Sequence, residues 1–246
     1  MADYDPRLVQ LYDSDNPDGA DSDFFRSLAD DLDARKVVDL GCGTGLLTVT
    51  FSTAGRDVVG IDPSPAMLGA ARARRGAENV SWVLGDSRDI GDAQADLVVM
   101  SGNVAQHITG KAWHQALRDI RNGLLPGGTL AFERRNPLAR AWEQWTRENT
   151  YGTRNTAIGE LVEWYEVTSV DRRGDVSFTS HNLLTASGGE KPEAITEHLT
   201  LSFLGREEVS ADLEASGFHL TGIWSGWHRE PMEAESPLMV FEARRQ

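Results

Sequence analysis

The chain has little sulfur chemistry: Cys42 is its single cysteine in 246 residues. No intramolecular disulfide can form, and a reducing compartment, the cytoplasm, is the expected location. No apolar run approaches the ~20 residues of a membrane helix, so no membrane association is expected. The opening Met1-Ala2-Asp3-Tyr4-Asp5 has no basic region followed by an apolar one, so a secretory signal is not expected either. Positive charge is scarce. Lys plus Arg number 24 against 38 Asp plus Glu, a formal charge of -14. Such a surface repels phosphate backbones, which excludes nucleic acid as an expected partner. The basic clusters Arg72-Ala73-Arg74-Arg75 and Arg134-Arg135 are short and read as solvated faces. The 6 histidines are dispersed without H-x-x-x-H spacing. With no second cysteine beside them, no metal site is expected.

Hydrophobic residues make up 40% of the chain, enough for a substantial core. Strand-like apolar runs at Val37–Leu40, Asp57–Ile61, Val80–Leu84, Leu97–Ser101 and Thr129–Glu133 alternate with helical patterns. The helices are expected at Ser22–Leu32, Leu46–Ala54 (with Gly55 as C-cap), Pro65–Arg75 and Lys111–Leu125. Short buried strands separated by helices argue for a parallel sheet covered on both faces. After Pro137 the pattern changes. Ala139–Arg147 looks helical. Leu161–Val170, Val176–Thr185 and Ala194–Leu204 alternate in character and read as a small inserted antiparallel sheet. A helix at Arg206–Ala215 and a closing antiparallel pair, Phe218–Trp224 and Leu238–Ala243, complete the chain. The segment up to about Asn16 reads as an irregular arm.

The richest local signal is Val37-Val38-Asp39-Leu40-Gly41-Cys42-Gly43-Thr44-Gly45. A strand ends in an acid, three glycines follow at alternate positions, and a helical pattern begins. Glycine turns tightly and lets backbone approach a ligand closely. Strand, glycine turn and helix form the cofactor-binding start of a doubly wound sheet. Pyrophosphate-binding loops use G-x-G-x-x-G. The spacing G-x-G-x-G weakens that reading here.

From Lys36 to Arg134 the chain resembles class I S-adenosylmethionine-dependent methyltransferases, and D-L-G-C-G-T-G resembles their first motif. The resemblance implies an α/β fold: a doubly wound, Rossmann-like, seven-stranded, mostly parallel sheet. An antiparallel last strand pair and the small inserted sheet complete it. Residues 1–137 would form the arm and cofactor core, 138–204 the inserted lid, and 205–246 the closing helix and strands. It also implies S-adenosyl-L-methionine as cofactor. Asp39 would help hold its methionyl amino end, and Gly41, Cys42, Gly43 and Gly45 would form the loop that binds it. Cys42 also reads simply as a small residue filling a tight loop.

Asp62, followed by Pro63 after the second strand, can accept two hydrogen bonds from ribose hydroxyls. It can also cap the next helix, although Ser64 before Pro65 can take that role. Met67 would pack on adenine or serve as plain core. Asp86 and Ser87 after the third strand would read the adenine amino group, or Asp86 would form an Asx-turn. Ser101, Gly102 and Asn103 after the fourth strand would face the methionyl part. No N-P-P-Y-like signature stands at Ser101-Gly102-Asn103-Val104, which argues against amino methylation of bases or glutamine.

Methyl transfer from a sulfonium is an in-line displacement, so positioning matters more than a base. His107 lies just beyond the fourth strand and would titrate near neutrality as a base, or cap the following segment. Glu133 would bind an amine acceptor, or be satisfied by Arg134 or Arg135. Trp164 and His181 on the inserted sheet would line an acceptor cavity, or face solvent. Trp142, Trp145, Trp164, Trp224 and Trp227 suit an apolar small molecule, the lid's own core, or a homodimer face. Tyr4 and Tyr12 lie in the N-terminal arm, which the resemblance implies would close over the cofactor, with Tyr12 toward the substrate. The expected activity is methyl transfer to oxygen or nitrogen of a small molecule. An adenosylmethionine-binding protein with other chemistry or none remains open, as does, more weakly, a nicotinamide-dependent dehydrogenase.

Overall fold

The computed structural model describes residues 4–53, 55–92 and 94–246. It opens with helices α1 (Pro6–Asp15) and α2 (Ala20–Asp31), followed by β1 (Lys36–Leu40), α3 (Thr48–Ser52), β2 (Asp57–Asp62), α4 (Pro65–Ala73), β3 (Val80–Leu84) and β4 (Ala95–Met100). Then come α5 (Val104–His107), α6 (Gly110–Gly123), β5 (Leu124–Arg135), α7 (Arg147–Thr150) and the strands β6 (Gly152–Thr156), β7 (Gly159–Val170), β8 (Asp175–Ala186) and β9 (Glu193–Ser202). Helix α8 (Arg206–Ala215), β10 (Phe218–Trp224) and β11 (Leu238–Arg245) close the fold.

The main sheet has seven strands in the order β10-β11-β5-β4-β1-β2-β3. Strands β1 to β5 pair in parallel, and β11 runs antiparallel to both β5 and β10. The central strands are buried on both faces, which is why they read as continuous apolar runs. On one face Trp113, Leu117 and Ile120 of α6 and Val209 and Leu213 of α8 pack against Val38, Val98 and Phe132. On the other, Phe24, Phe25 and Leu28 of α2 and Phe51 of α3 cover Val37, Val99 and Ala131. The strand order reverses between β1 and β4, which opens a crevice at the carboxyl ends of the strands.

Four strands, β6 to β9, form a second, wholly antiparallel sheet inserted between β5 and α8. It is anchored by a buried arginine. The Nη2 of Arg134 donates to the carbonyls of Ala105 (3.0 Å) and Ser202 (3.3 Å), and Gln106 Nε2 also reaches Ser202 (3.3 Å). The guanidinium lies over the Trp113 ring, 4.8 Å from its centroid. The exit of the lid is thereby tied to α5.

Several expectations need correction. The arm is not irregular: from Pro6 it forms α1, because Asp5 caps it through the Arg7 amide and proline occupies the first helical turn. Residues 1–3 lie outside the described residues. The helix expected at Leu46–Ala54 shortens to Thr48–Ser52, and Ala54 itself lies outside the described residues. The helix expected at Ala139–Arg147 breaks into two 3-10 turns, Pro137–Ala139 and Ala141–Gln144, followed by α7. The break falls at Arg140, whose φ of 46° cannot continue a right-handed helix. The inserted sheet has a fourth strand, β6, which is short and polar and so carried no apolar signal. Strand β5 extends over the whole of Leu124–Arg135, past the expected Thr129–Glu133, because antiparallel pairing with β11 continues to Arg135.

Candidate active site

The glycine loop joins β1 to α3. All three glycines have positive φ: 79° at Gly41, 54° at Gly43 and 75° at Gly45. A side chain at Gly41 would overlap Val104, with both γ carbons 2.5 Å from an added Cβ, and one at Gly45 would overlap Trp82 at 2.5 Å. At Gly43 the nearest atom would be Tyr12 Cε1 at 3.9 Å, so this glycine leaves open space beside the crevice. The loop's amides are already engaged. Those of Gly41 and Cys42 donate to Ile61 O, that of Gly45 donates to Cys42 O, and that of Gly43 donates to Asp62 Oδ2 at 2.9 Å. A pyrophosphate site needs such amides pointed at the ligand. Here they close the loop onto β2, and the nearby groups are carboxylates.

A cavity of about 580 Å³ opens over this loop. Gly41, Gly43, Asp62, Pro63, Ser64 and Met67 line one end, and Asp86, Ser87, Arg88, Ala112 and Gln115 the other. Tyr4, Tyr12, Val104, His107 and Ile108 close it from above. Asp62 Oδ1 accepts from the Ser64 amide at 2.8 Å, so the carboxylate is braced from both sides of the loop. Ser64 caps α4 through the Met67 amide. Asp86 caps a short 3-10 turn and is clamped by Arg88, which holds its carboxyl below the usual range. The Asx-turn reading therefore holds, while the residue still borders the cavity.

Asp39 lies beneath the loop at 1% exposure. Its Oδ2 accepts from Thr48 Oγ1 at 2.6 Å, and its Oδ1 is buried with no hydrogen-bond partner among the described residues. Burial pushes its pKa up to about 7. An orphaned carboxylate oxygen below an open cavity suits a cation or ammonium above it. An adenosyl sulfonium with its methionyl ammonium fits this donor set: acceptors dominate, backbone donors are consumed, and the Gly43 side is open. Asp62 would hold the ribose of that cofactor, Met67 and Asp86 would border its base, and Asp39 would face its methionyl end.

Six of the expected cofactor residues do not line this cavity, Asp39 beneath the loop being one. Cys42 packs against Leu68, Ala71 and Trp82, and burial pushes its thiol far above the ordinary range. Gly45 serves the same packing. Ser101, Gly102 and Asn103 lead into α5, whose Val104 and His107 line the cavity instead.

A second cavity of about 390 Å³ adjoins the first. The two share Tyr4, Tyr12 and His107. Its far wall is one face of the inserted sheet: Leu161, Glu163 and Tyr165 of β7, Phe178, Ser180 and Asn182 of β8, and Glu197, Leu199 and Leu201 of β9. Arg135, Trp145 and α1 complete it. Trp164 and His181 were expected here and are absent from this wall. They pair with each other across β7 and β8 and stack on the opposite face, with ring centroids 4.7 Å apart. Side chains alternate along a strand, so a one-residue difference in parity moves a residue to the other side. His181 Nε2 instead meets Glu166 Oε2 at 2.9 Å.

Burial pushes His107 down to about 4, and the nearby Arg135 guanidinium adds to the effect. Its imidazole is therefore neutral at pH 7, not titrating there. Glu133 lines neither cavity. Its Oε1 accepts from the Asn103 amide, and neither Arg134 nor Arg135 pairs with it. Its Oε2 is buried with no partner among the described residues, and burial pushes its pKa up to about 8. The tryptophans divide by role. Trp142 and Trp145 pack on Phe178 and Phe203 at the lid base, whereas Trp224 and Trp227 pack on Phe24 of α2. No group of three or more His, Cys, Asp or Glu that could hold a metal exists among the described residues, nor a helix long and apolar enough to cross a membrane.

The buried acids make stability depend on pH. Burial pushes Asp39 up to about 7 and Glu133 up to about 8 in the folded state, against ordinary values of 3.8 and 4.5. The folded state thus keeps protons that the unfolded chain releases. The stability this brings is fully present below the unfolded values and is lost as pH rises through the folded ones. The opposite contribution of His107 is complete by its unfolded value of 6.5. The cofactor-free protein should therefore melt at lower temperature as pH rises from about 6.5 to about 8.5. Glu133→Gln should flatten that decline in a melting series. A rising profile would contradict the burial of these acids.

Comparison with known proteins agrees with this geometry. Residues 37–128 match the model of a family described as a methyltransferase domain. The cypemycin N-terminal methyltransferase of a Streptomyces species is 29% identical over 252 residues, which covers 99% of this chain and 98% of that protein. The structure of the CcbJ methyltransferase from Streptomyces caelestis superposes with a TM-score of 0.76 at 22% identity, covering 98% of this chain and 99% of that one. The sugar N-methyltransferase KedS8 from a Streptoalloteichus species superposes with a TM-score of 0.74 at 18% identity, covering 100% and 95%. At those identities the two structures speak for the fold, and the family model and the full-length relative speak for the motif-bearing core. The loop, the acid after β2 and the crevice at the strand ends all fall within or beside the matched segment: residues 37–128 are a methyltransferase domain, and the fold around them is that of class I S-adenosylmethionine-dependent methyltransferases.

Proposed function

We propose that the chain methylates the nitrogen of a small amine held in the 390 Å³ cavity between the lid sheet and the core. The observation that carries this reading is the shared boundary of the two cavities at Tyr4, Tyr12 and His107. A cofactor bound over Gly43 brings its methyl toward that boundary, and an acceptor in the second cavity meets it there. The bound cofactor supplies the electrophilic methyl group. The chain supplies alignment, which for well-oriented reactants is worth roughly 7–11 kcal/mol. Tyr4 and Tyr12 roof the junction and exclude water from it.

Nitrogen is favoured over oxygen on two grounds. Arg154 compensates Asp15 and Glu163 in the acceptor cavity, but Glu197 has no ion pair among the described residues and draws amines rather than neutral alcohols. His107, pushed down to about 4, is a poor proton store for ionising a hydroxyl, yet it accepts a hydrogen bond at any pH near neutrality. A neutral amine needs no base to attack a sulfonium. The names of two similar proteins, an N-terminal methyltransferase and a sugar N-methyltransferase, agree. The small acceptor cavity and the charge of -14 favour a small molecule over a nucleic acid.

The test is a panel of primary and secondary amines, amino sugars and amino acids among them, each paired with its hydroxyl analogue. Products are read by mass spectrometry and by release of demethylated cofactor. Amines should gain methyl groups while the hydroxyl partners stay unchanged. Methylation confined to hydroxyl compounds would overturn the nitrogen assignment.

A further inference from the structure

The charges lining the acceptor cavity are not all matched. Arg154 is compensated on both sides: it meets Asp15 at 2.7 Å and Glu163 at 2.8 Å. Arg135 is different. No carboxylate lies within ion-pair distance of it among the described residues. Its Nη1 donates to the amide oxygen of Gln106 at 3.2 Å, and its guanidinium stands 5.8 Å from the Trp145 ring centroid. The acid on its own strand, Glu133, gives one oxygen to the Asn103 amide and is held largely protonated by burial. A guanidinium carries five N–H donors, and here a single side-chain acceptor meets them. A half-buried cation left in this state is costly unless something brings negative charge to it.

The opposite charge stands across the same cavity. Glu197 is half-buried on the inward face of β9, in register with Ser180 and, beyond it, Tyr165. It has no hydrogen bond or ion pair among the described residues, and burial raises its pKa. It lies close enough to Tyr4 to affect that phenol, so it stands on the side from which an amine would reach the junction.

We propose that the acceptor is an amino acid-like amine, whose carboxylate pairs with Arg135 while its nitrogen passes Glu197 toward the junction at Tyr4. This rests on the nitrogen reading above and narrows it from amines in general to amines that carry an anion. Guanidinium and carboxylate match as planar, two-pronged partners. Phosphate shares that geometry, but Glu197, uncompensated in the same cavity, repels a dianion more strongly. The aromatic wall of Trp145, Phe178 and Tyr165 would hold the side chain of the acceptor.

Two measurements test the assignment, and the first needs no methyl transfer. N-benzoylglycine carries the carboxylate and a ring but no reactive amine. N-benzoylglycinamide lacks only the charge. With demethylated cofactor bound, calorimetry should show the acid binding about 10- to 100-fold more tightly than the amide. Arg135→Gln should abolish that difference, while Arg135→Lys should keep part of it. Cofactor affinity measured on the same samples reports that each variant is folded.

The second measurement compares kcat/KM for phenylalanine and phenylalaninamide with the cofactor. The acid should be preferred, and Arg135→Gln should erase the preference through KM. Equal binding of acid and amide by the parent protein, or no binding of either at high millimolar concentration, overturns the anion subsite. So does a difference that survives Arg135→Gln. An amide methylated on nitrogen as readily as the acid would overturn this proposal and leave the nitrogen reading standing. Methylation of hydroxyl compounds alone would overturn that reading while the calorimetric result stood by itself.

Discussion

Removing residues 1–16 is expected to lower affinity for the demethylated cofactor by about 100-fold or more and to reduce methyl transfer further, because α1 roofs both cavities. Tyr4 and Tyr12 line both. Asp13 accepts from Thr44 Oγ1 at 2.5 Å and pairs with Arg74, which ties the helix to the glycine loop. On its other side Leu11 packs with Leu161, Leu184 and Ile195 of the lid, and Asp15 meets Arg154. The helix thus bridges core and lid above the point where the methyl group must travel. Losing it exposes buried apolar surface as well, at a cost of about 1.5–3 kcal/mol for each fully buried leucine or valine side chain. Tyr12→Ala separates the two effects, since it keeps α1 and its anchors but opens the space beside Gly43. That variant should melt near the parent temperature and bind cofactor about tenfold less tightly. Calorimetry and thermal melting check both variants, and parent-like affinity in the truncated chain would show that the roof plays no part in binding.

The second large effect is expected at Gly41. Its φ of 79° lies in the left-handed region, and an added Cβ would stand 2.5 Å from both γ carbons of Val104. The backbone cost is about 1–2 kcal/mol and the overpacking about 1–3 kcal/mol. Val104 is the first residue of α5, which also carries His107. Gly41→Ala should therefore push α5 outward, lower stability by about 2–5 kcal/mol, and remove measurable cofactor binding. Adding Val104→Ala relieves the overlap but not the backbone strain, so it should restore part of the stability. Gly43→Ala meets no packed atom closer than Tyr12 Cε1 at 3.9 Å, so its cost should be confined to backbone strain and to the cofactor's approach. Denaturant melts and cofactor titration of the three variants check this ranking. Equal stability of Gly41→Ala and the parent would refute it.

The cofactor side was legible because its chemistry is local. Asp39 and the three glycines act through consecutive backbone units, and Asp62 stands at the end of an apolar run that any sheet of this kind would bury. The parity of the lid strands was not legible in the same way. Strand β7 reads Leu161-Val162-Glu163-Trp164-Tyr165, and nothing in that string says whether the odd or the even residues face inward. The buried Leu161 was the available signal: Glu163 and Tyr165 follow it at intervals of two, which leaves Trp164 on the other face. His107 lines both cavities, but its pKa depends on burial and on Arg135, which is distant in sequence. Glu133 was a reasonable candidate by position, yet its carboxylate turns to the Asn103 amide, whose φ of 60° swings the backbone over it.

By itself the sequence determined the sheet, the glycine loop and the acid after β2, and with them the class of cofactor. Those features depend on neighbouring residues, on strand periodicity and on the left-handed freedom of glycine, all written into short stretches of chain. Only the tertiary structure decided the acceptor side: a cavity whose walls come from α1, β5 and three lid strands, and whose lining brings Arg135 and Glu197 together. Charges so far apart in the chain meet only after the lid sheet has chosen which face to bury, and that choice is made by packing against the core rather than by any local pattern.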